Sequence, residues 1–212
     1  MSQVRRLQKQ QTRRAILDAA LMQLSPERSF VSLSLREVAR EAGIAPTSFY
    51  RHFRDMDELG LALVEEGGLA LRQLMRQARQ RAMGNEDSVI RISVEIFMEF
   101  LHRNANLFRL ILRERSGGSA SFRQAIQDEI RYFTDELSED MARLAVLRKR
   151  PIMDAWTLAE AIVTIVFTQA GEAMDLAIDE QNQVVERIMR QLRFLVAGAE
   201  ELAKQSSKND VA

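Results

Sequence analysis

Apolar residues return along this chain with the three-to-four-residue period of amphipathic helices. Leu7, Ile16, Ala19, Ala20 and Leu24 fall near one face of the first segment. Val89, Ile92, Ile96, Phe97, Phe100 and Leu101 make a stripe in a later one, and Ala159, Ile162, Val163, Val166, Phe167 and Ala170 in another. Alternating β-branched runs of the kind that form strands are missing. The prolines at 26, 46 and 151 stand where a helix starts or a connection runs. Polar breaks at 84–87 (Gly-Asn-Glu-Asp) and 116–119 (Ser-Gly-Gly-Ser) predict loops. The polar stretch 205–212 predicts a frayed, disordered tail. The pattern predicts an all-α fold with a small N-terminal unit and a larger C-terminal helical bundle.

One short stretch is more specific. Ser34-Leu35-Arg36-Glu37 has the form of a capping box, in which Ser34 caps a helix and Glu37 reaches back to it. Leu35, Val38 and Ala39 are spaced to face inward, and Gly43 is placed to end that helix in a left-handed conformation. Pro46 opens the next helix, where its missing N–H costs nothing. Phe49 and Phe53, four residues apart, turn back to the core and leave Thr47, Ser48, Tyr50, Arg51 and His52 mostly outside. This is helix-turn-helix spacing, and the exposed residues are donors suited to phosphates and base edges. Thr47 and Ser48 lie near the helix N-terminus, which itself favours phosphate. Arg51 suits either phosphate or guanine.

Charge supports a polyanion partner. Residues 1–54 carry ten Arg or Lys against four acids, a net of +6, which leaves −6 for the remainder of a chain with zero net charge. A basic head on an acidic body fits a polyanion-binding module joined to something else. Arg5, Arg6, Lys9, Arg13 and Arg14 form a basic N-terminal arm able to add charge or probe a minor groove. The absence of cysteine excludes thiolate chemistry, disulfides and cysteine-ligated metals. His52 and His102, the only histidines, have no carboxylate spacing that suggests a metal or acid–base site, and Glu65 and Glu66, as neighbours on a helix, point apart. No glycine-rich phosphate loop is present. No catalytic residue, metal or cofactor is expected, and the protein is not expected to be an enzyme. The polar, basic N-terminus is unlike a signal peptide, and the apolar run 159–170 is too short and too polar for a membrane span. A cytoplasmic location without membrane insertion is the expectation.

The stretch LSLREVAREAGIAPTSFYRHFRDMDEL resembles the DNA-binding signature of the TetR family of transcriptional regulators. The resemblance rests on the Ser34 cap, Val38-Ala39 before Ala42-Gly43, Tyr50-x-His52-Phe53, and Glu58-Leu59 at the start of a linking helix. It implies a three-helix DNA-binding domain over residues 1–54 and a ligand-binding and dimerisation domain over 55–204, with 55–81 as the linking helix. The implied DNA-binding residues are Arg5, Arg6, Arg13, Ser34, Arg36, Pro46, Thr47, Ser48, Tyr50, Arg51 and His52. Met56 departs from the pattern, standing where many members carry a lysine that helps hold a phosphate. The same stretch, with LRQLMRQARQR (71–81) and FRLILRERSG (108–117), resembles repressors of unsaturated fatty acid synthesis of the FabR and DesT type. That resemblance implies control of fatty acid synthesis or desaturation genes by long-chain acyl-CoA. A TetR-type repressor answering to another hydrophobic molecule, such as a drug or a signal, is the alternative.

The body is rich in Phe and Met, which pack cores and also line apolar pockets. Candidate ligand-binding positions are Phe97, Phe100, Leu101, Phe108, Ile111, Leu112, Arg113, Arg115, Phe133, Trp156, Val163 and Phe167. Candidate cations for the CoA phosphates are Arg109, Arg113, Arg115 and the run Arg148-Lys149-Arg150. Helices expected over 159–177 and 184–202 carry small residues, Ala170-Gly171 and Ala197-Gly198-Ala199, that permit close helix approach. Pairing them about a two-fold axis gives a homodimer, which suits a palindromic double-stranded DNA operator.

Overall fold

The structure, a computed structural model, describes residues 2–81, 86–117 and 119–209. Every regular element among them is helical, as the sequence period predicted. The chain divides into two compact units.

The first unit comprises residues up to Gly67 together with Asn104–Gln127. It contains α1 (Ser2–Met22), a single 3-10 turn (Phe30–Ser32), α2 (Leu35–Glu41) and α3 (Pro46–Phe49). It also takes the beginning of α4 (Met56–Arg81), all of α6 (Ala105–Glu114) and the beginning of α7 (Ala120–Arg148). Ile16, Ala19, Ala20, Leu24, Val38, Ala39, Phe49 and Phe53 are buried here, on the faces their spacing marked as inward, whereas Leu7, expected on the same stripe, is exposed, because it lies in the part of α1 that nothing covers. Asn106 donates from Nδ2 to the Leu21 carbonyl at 2.9 Å, tying α6 to the end of α1. Gly60 admits the Phe122 ring against α4, where a Cβ would collide with it. The basic segment of 5–14 is part of α1.

The second unit comprises Gly68–Arg103 and the chain from Asp128 onward. Its elements are the rest of α4, α5 (Glu86–Arg103), the rest of α7, α8 (Ala155–Ala173) and α9 (Ile178–Asn209). Ion pairs rise in step along α4 and α7, so the two helices run in the same direction. Arg72 meets Glu129, Arg76 meets Glu136 at 2.9 Å, and Arg79 meets Asp140 at 2.6 Å. α8 begins at Ala155 because Asp154 caps it, accepting from the Thr157 N–H at 3.1 Å. α9 starts six residues before the expected Val184 and continues to Asn209, into the stretch expected to fray; residues 210–212 lie outside the described residues. Of the two expected loops, Glu86 and Asp87 already belong to α5, whereas 84, 85 and 118 lie outside the described residues. α8 and α9 pack through Leu158, Val196 and Ala199, with Met141, Ile152, Ile162 and Leu195 beside them.

Candidate nucleic-acid interface and body cavity

The turn that presents the polar residues is built from local signals. Ser34 accepts from the Glu37 N–H at 3.3 Å, and Glu37 Oε2 accepts from the Ser34 N–H at 3.0 Å, completing the capping box. Hydrogen bonds from the Ser34 backbone, then the Ser34 hydroxyl, then Arg28, hold the Glu37 carboxyl below the usual carboxylate range. α2 ends with Gly43 at φ +68°, and the Ile44 N–H closes a long bond to the Ala39 carbonyl at 2.9 Å. Pro46 is the first residue of α3, as expected.

The second helix is shorter than the sequence implied. α3 is one turn, Pro46–Phe49, and the chain continues as hydrogen-bonded turns: Arg51 N–H to Ser48 O at 3.2 Å and His52 N–H to Phe49 O at 2.8 Å. A single turn has little macrodipole, so side-chain donors dominate this surface. Phe49 and Phe53 are buried with ring centroids 5.7 Å apart, and they hold the segment down. Thr47, Tyr50 and Arg51 are exposed, and Ser48 and His52 half-buried. Arg36 of α2 is exposed beside them in sequence order, as are Arg5 and Arg6 in α1. None of Arg5, Arg6, Arg36 and Arg51 has an ion-pair partner among the described residues.

Arg13 and Ser34 are engaged within the unit. The Arg13 guanidinium lies over the Phe53 ring at 4.3 Å, pairs with Glu66 at 3.3 Å and donates to the His52 carbonyl at 3.5 Å. It thereby fixes the position of the His52 backbone. The Ser34 hydroxyl donates to Glu37 at 2.8 Å. Burial, then the charges of Lys9, Arg13 and Arg51, push the His52 pKa below the ordinary histidine value. His52 Nδ1 is buried without a hydrogen-bond partner among the described residues, which leaves Nε2 as the nitrogen for an outside ligand.

The second unit contains an elongated apolar cavity. Its inner end is lined by Met75, Val94, Phe97, Phe133, Val163, Val166 and Phe167. Arg79, Ser93, Leu137, Ile162 and Leu192 line both this end and the adjoining outer part. The outer part, which opens to solvent, has a cavity volume of about 110 Å³. Ile90, Met141, Leu144, Ile152 and Val196 line it, with Arg148, Arg150, Asp140 and Glu200 among them.

Four of the residues expected from the sequence to bind ligand, Phe97, Phe133, Val163 and Phe167, line this cavity together. Phe97 and Phe167 stand 5.1 Å apart between ring centroids, and Phe133 and Phe167 5.8 Å. Leu101 is buried and Phe100 half-buried in α5, and neither lines the cavity. Trp156 is exposed and donates from Nε1 to Asp135 at 2.8 Å. Phe108, Ile111, Leu112, Arg113 and Arg115 belong to the first unit. There Phe108 is buried, Arg115 exposed, and Arg113 bonds to the Ser25 and Pro26 carbonyls. Of the candidate cations, only Arg148 and Arg150 line the cavity. The lining residues Ser93, Leu137 and Leu192, which nothing in the sequence singles out, are drawn from helices distant in sequence.

The sequence matches the profile of the bacterial regulatory proteins of the tetR family over residues 16–63. It matches that of the tetracyclin repressor-like C-terminal domain over residues 87–198. The chain belongs to the tetR family. Its members are DNA-binding regulators and not enzymes, so the surface formed by α2, α3 and the following turn is that of a family DNA-binding head. Solved structures share the fold. The fatty acid degradation regulator FadR of Bacillus halodurans superposes with a TM-score of 0.74 at 17% identity, over 85% of this chain and 94% of that one. The regulatory protein TetR of Rhodobacter sphaeroides gives 0.68 at 21% identity, over 84% and 96%. A Clostridium perfringens protein assigned as a fatty acid metabolism regulator gives 0.66 at 15% identity, over 87% and 97%. Among the described residues, no helix is long and apolar enough to cross a membrane.

Proposed function

We propose that this tetR-family regulator is a homodimeric repressor of genes for unsaturated fatty acid synthesis or desaturation, and that long-chain acyl-CoA modulates its hold on a palindromic operator. The observation that carries this reading is the elongated cavity, apolar and aromatic at its inner end and guanidinium-bearing at the outer. A fatty acyl chain needs such a lining and makes few polar demands. The sequence resemblance to FabR- and DesT-type repressors supports it, as do two fold relatives described as fatty acid regulators.

In this reading the DNA contacts are made by Arg5, Arg6, Arg36, Thr47, Ser48, Tyr50, Arg51 and His52, with Arg13, Ser34 and Pro46 acting largely through placement. A dimer sets two such surfaces about 34–36 Å apart, one turn of B-DNA. Met75 and Arg79 line the cavity on α4, whose first residues belong to the DNA-reading unit, so an effector that prefers one placement of α4 alters operator affinity. The effect is limited to the effector's difference in affinity for the two placements. The test is a titration of operator binding, on a palindrome selected from random duplexes, with saturated and unsaturated acyl-CoAs at fixed salt. The expected result is a shift in operator affinity that differs between the two chain types. Unchanged affinity with both would end the lipid-effector reading.

A further inference from the structure

The cavity has a direction. Along α7 its lining residues are Phe133, Leu137, Met141, Leu144 and Arg148, one face of a helix at three- and four-residue steps. Fifteen residues at the helical rise span about 22 Å, the length of a long extended acyl chain. α5 matches it in reverse: Phe97 lies at the aromatic end, Ser93 in the middle and Ile90 in the outer part. One end therefore holds Phe97, Phe133 and Phe167, and the other Arg148 and Arg150.

The charges in the outer part are matched except for one. Asp140 is paired with Arg79 at 2.6 Å, and Glu200 with Arg150 at 2.6 Å. Arg148 lines the same space, and its Nη2 is buried with no hydrogen-bond partner among the described residues. An unmet donor on a cation costs more than one on a neutral group. Ser93 Oγ is also buried without a partner among the described residues, but it is neutral and lines both parts of the cavity, whereas Arg148 lines the outer part alone. The strongest unmet demand for an acceptor is thus at the Arg148 end.

We infer that Arg148 is the head-group anchor of the cavity. Its ligand is a long-chain amphiphile inserted with its methyl end among Phe97, Phe133 and Phe167, and with an acyl oxygen accepting from Arg148 Nη2. A free carboxylate and a thioester carbonyl share that acceptor chemistry. The inference rests on the lipid-effector reading above.

The test is calorimetric titration of the full-length protein and of Arg148→Met and Arg148→Lys variants with oleate, oleyl alcohol and oleoyl-CoA. The unaltered protein should bind oleate at least tenfold more tightly than oleyl alcohol, which lacks the acyl oxygen. Arg148→Met should erase that preference by weakening oleate far more than oleyl alcohol, and Arg148→Lys should restore part of it. A loss for oleate but not for oleoyl-CoA assigns the anchor to a free carboxylate; a parallel loss for both assigns it to the shared acyl oxygen. Equal affinity for all three in the unaltered protein overturns the anchor and leaves the lipid reading standing. An equal drop for oleate and the alcohol in Arg148→Met likewise overturns it. Binding of none of the three to the unaltered protein overturns the lipid reading as well.

Discussion

His52 sits where three cations and a partly buried ring oppose its protonation, so the free protein keeps it neutral to a lower pH than an ordinary histidine. A DNA phosphate at Nε2 reverses that preference, because an adjacent anion favours the imidazolium. The complex then binds a proton that the free protein does not, in the window below the ordinary value of 6.5. Operator affinity should accordingly rise as pH falls through that window, and His52→Gln should flatten the rise. Fluorescence anisotropy at constant ionic strength between about pH 5 and 8 reads the effect. An identical slope in the variant would remove His52 from the phosphate contacts. Arg13, by contrast, already spends its guanidinium on Phe53, Glu66 and the His52 carbonyl.

At the scale of elements, two left-handed residues set the ends of helices that matter for the two sites. Gly43, at φ +68°, turns the chain from α2 into α3. Gly43→Ala should cost about 1–2 kcal/mol, because a Cβ is disfavoured in that conformation even where there is room for it. Lys149, at φ +54°, does the same work after α7, with the Arg150 N–H bonded to the Ala145 carbonyl at 3.0 Å. Lys149→Gly should therefore stabilise the protein by up to about 1 kcal/mol. Urea unfolding at constant slope measures both, and a change of the opposite sign in either would contradict the backbone account. The first of these turns was legible in the sequence and the second was not. Gly43 follows a capping box within ten residues and is a glycine; a lysine carries no mark of the left-handed region. The same contrast separates the two sites. Apart from Arg5 and Arg6, the proposed DNA-reading surface is encoded locally, within Ser34–Phe53, so its exposed residues follow from helical spacing. The cavity gathers side chains from α4, α5, α7, α8 and α9, and single-helix periodicity marks them only as inward-facing. Phe97, Phe133 and Phe167 stand out in the sequence as large aromatic residues, whereas Ser93 and Leu137 carry no signal.

For the whole molecule, the assembly has to come from the surface that the chain leaves uncovered. The small residues expected to permit close approach divide into two groups. Ala170 and Ala199 are buried within the chain itself, where α8 and α9 pack together, whereas Ala197 and Gly198 remain outside. Flanking Gly198 on the same face of α9, four residues to either side, are Phe194 and Leu202, exposed by 70% and 55%. A Cβ at Gly198 would meet nothing, so the stripe is open. Phenylalanine and leucine beside a glycine make a surface that a second copy can meet closely, and two-fold symmetry would bury each residue twice. Burying one phenylalanine contributes about 1.5–3 kcal/mol, so removing the pair should cost on the order of 3–6 kcal/mol. Phe194→Glu should raise the dimer dissociation constant by roughly two to four powers of ten, more if the paired glutamates repel. The position is solvent-facing in the single chain, so circular dichroism should show an unchanged fold. Sedimentation equilibrium over a dilution series reads the dissociation, and operator binding should weaken in parallel as two-site engagement is lost. A variant that stays dimeric at the dilutions where the unaltered protein does would place the interface elsewhere on the molecule.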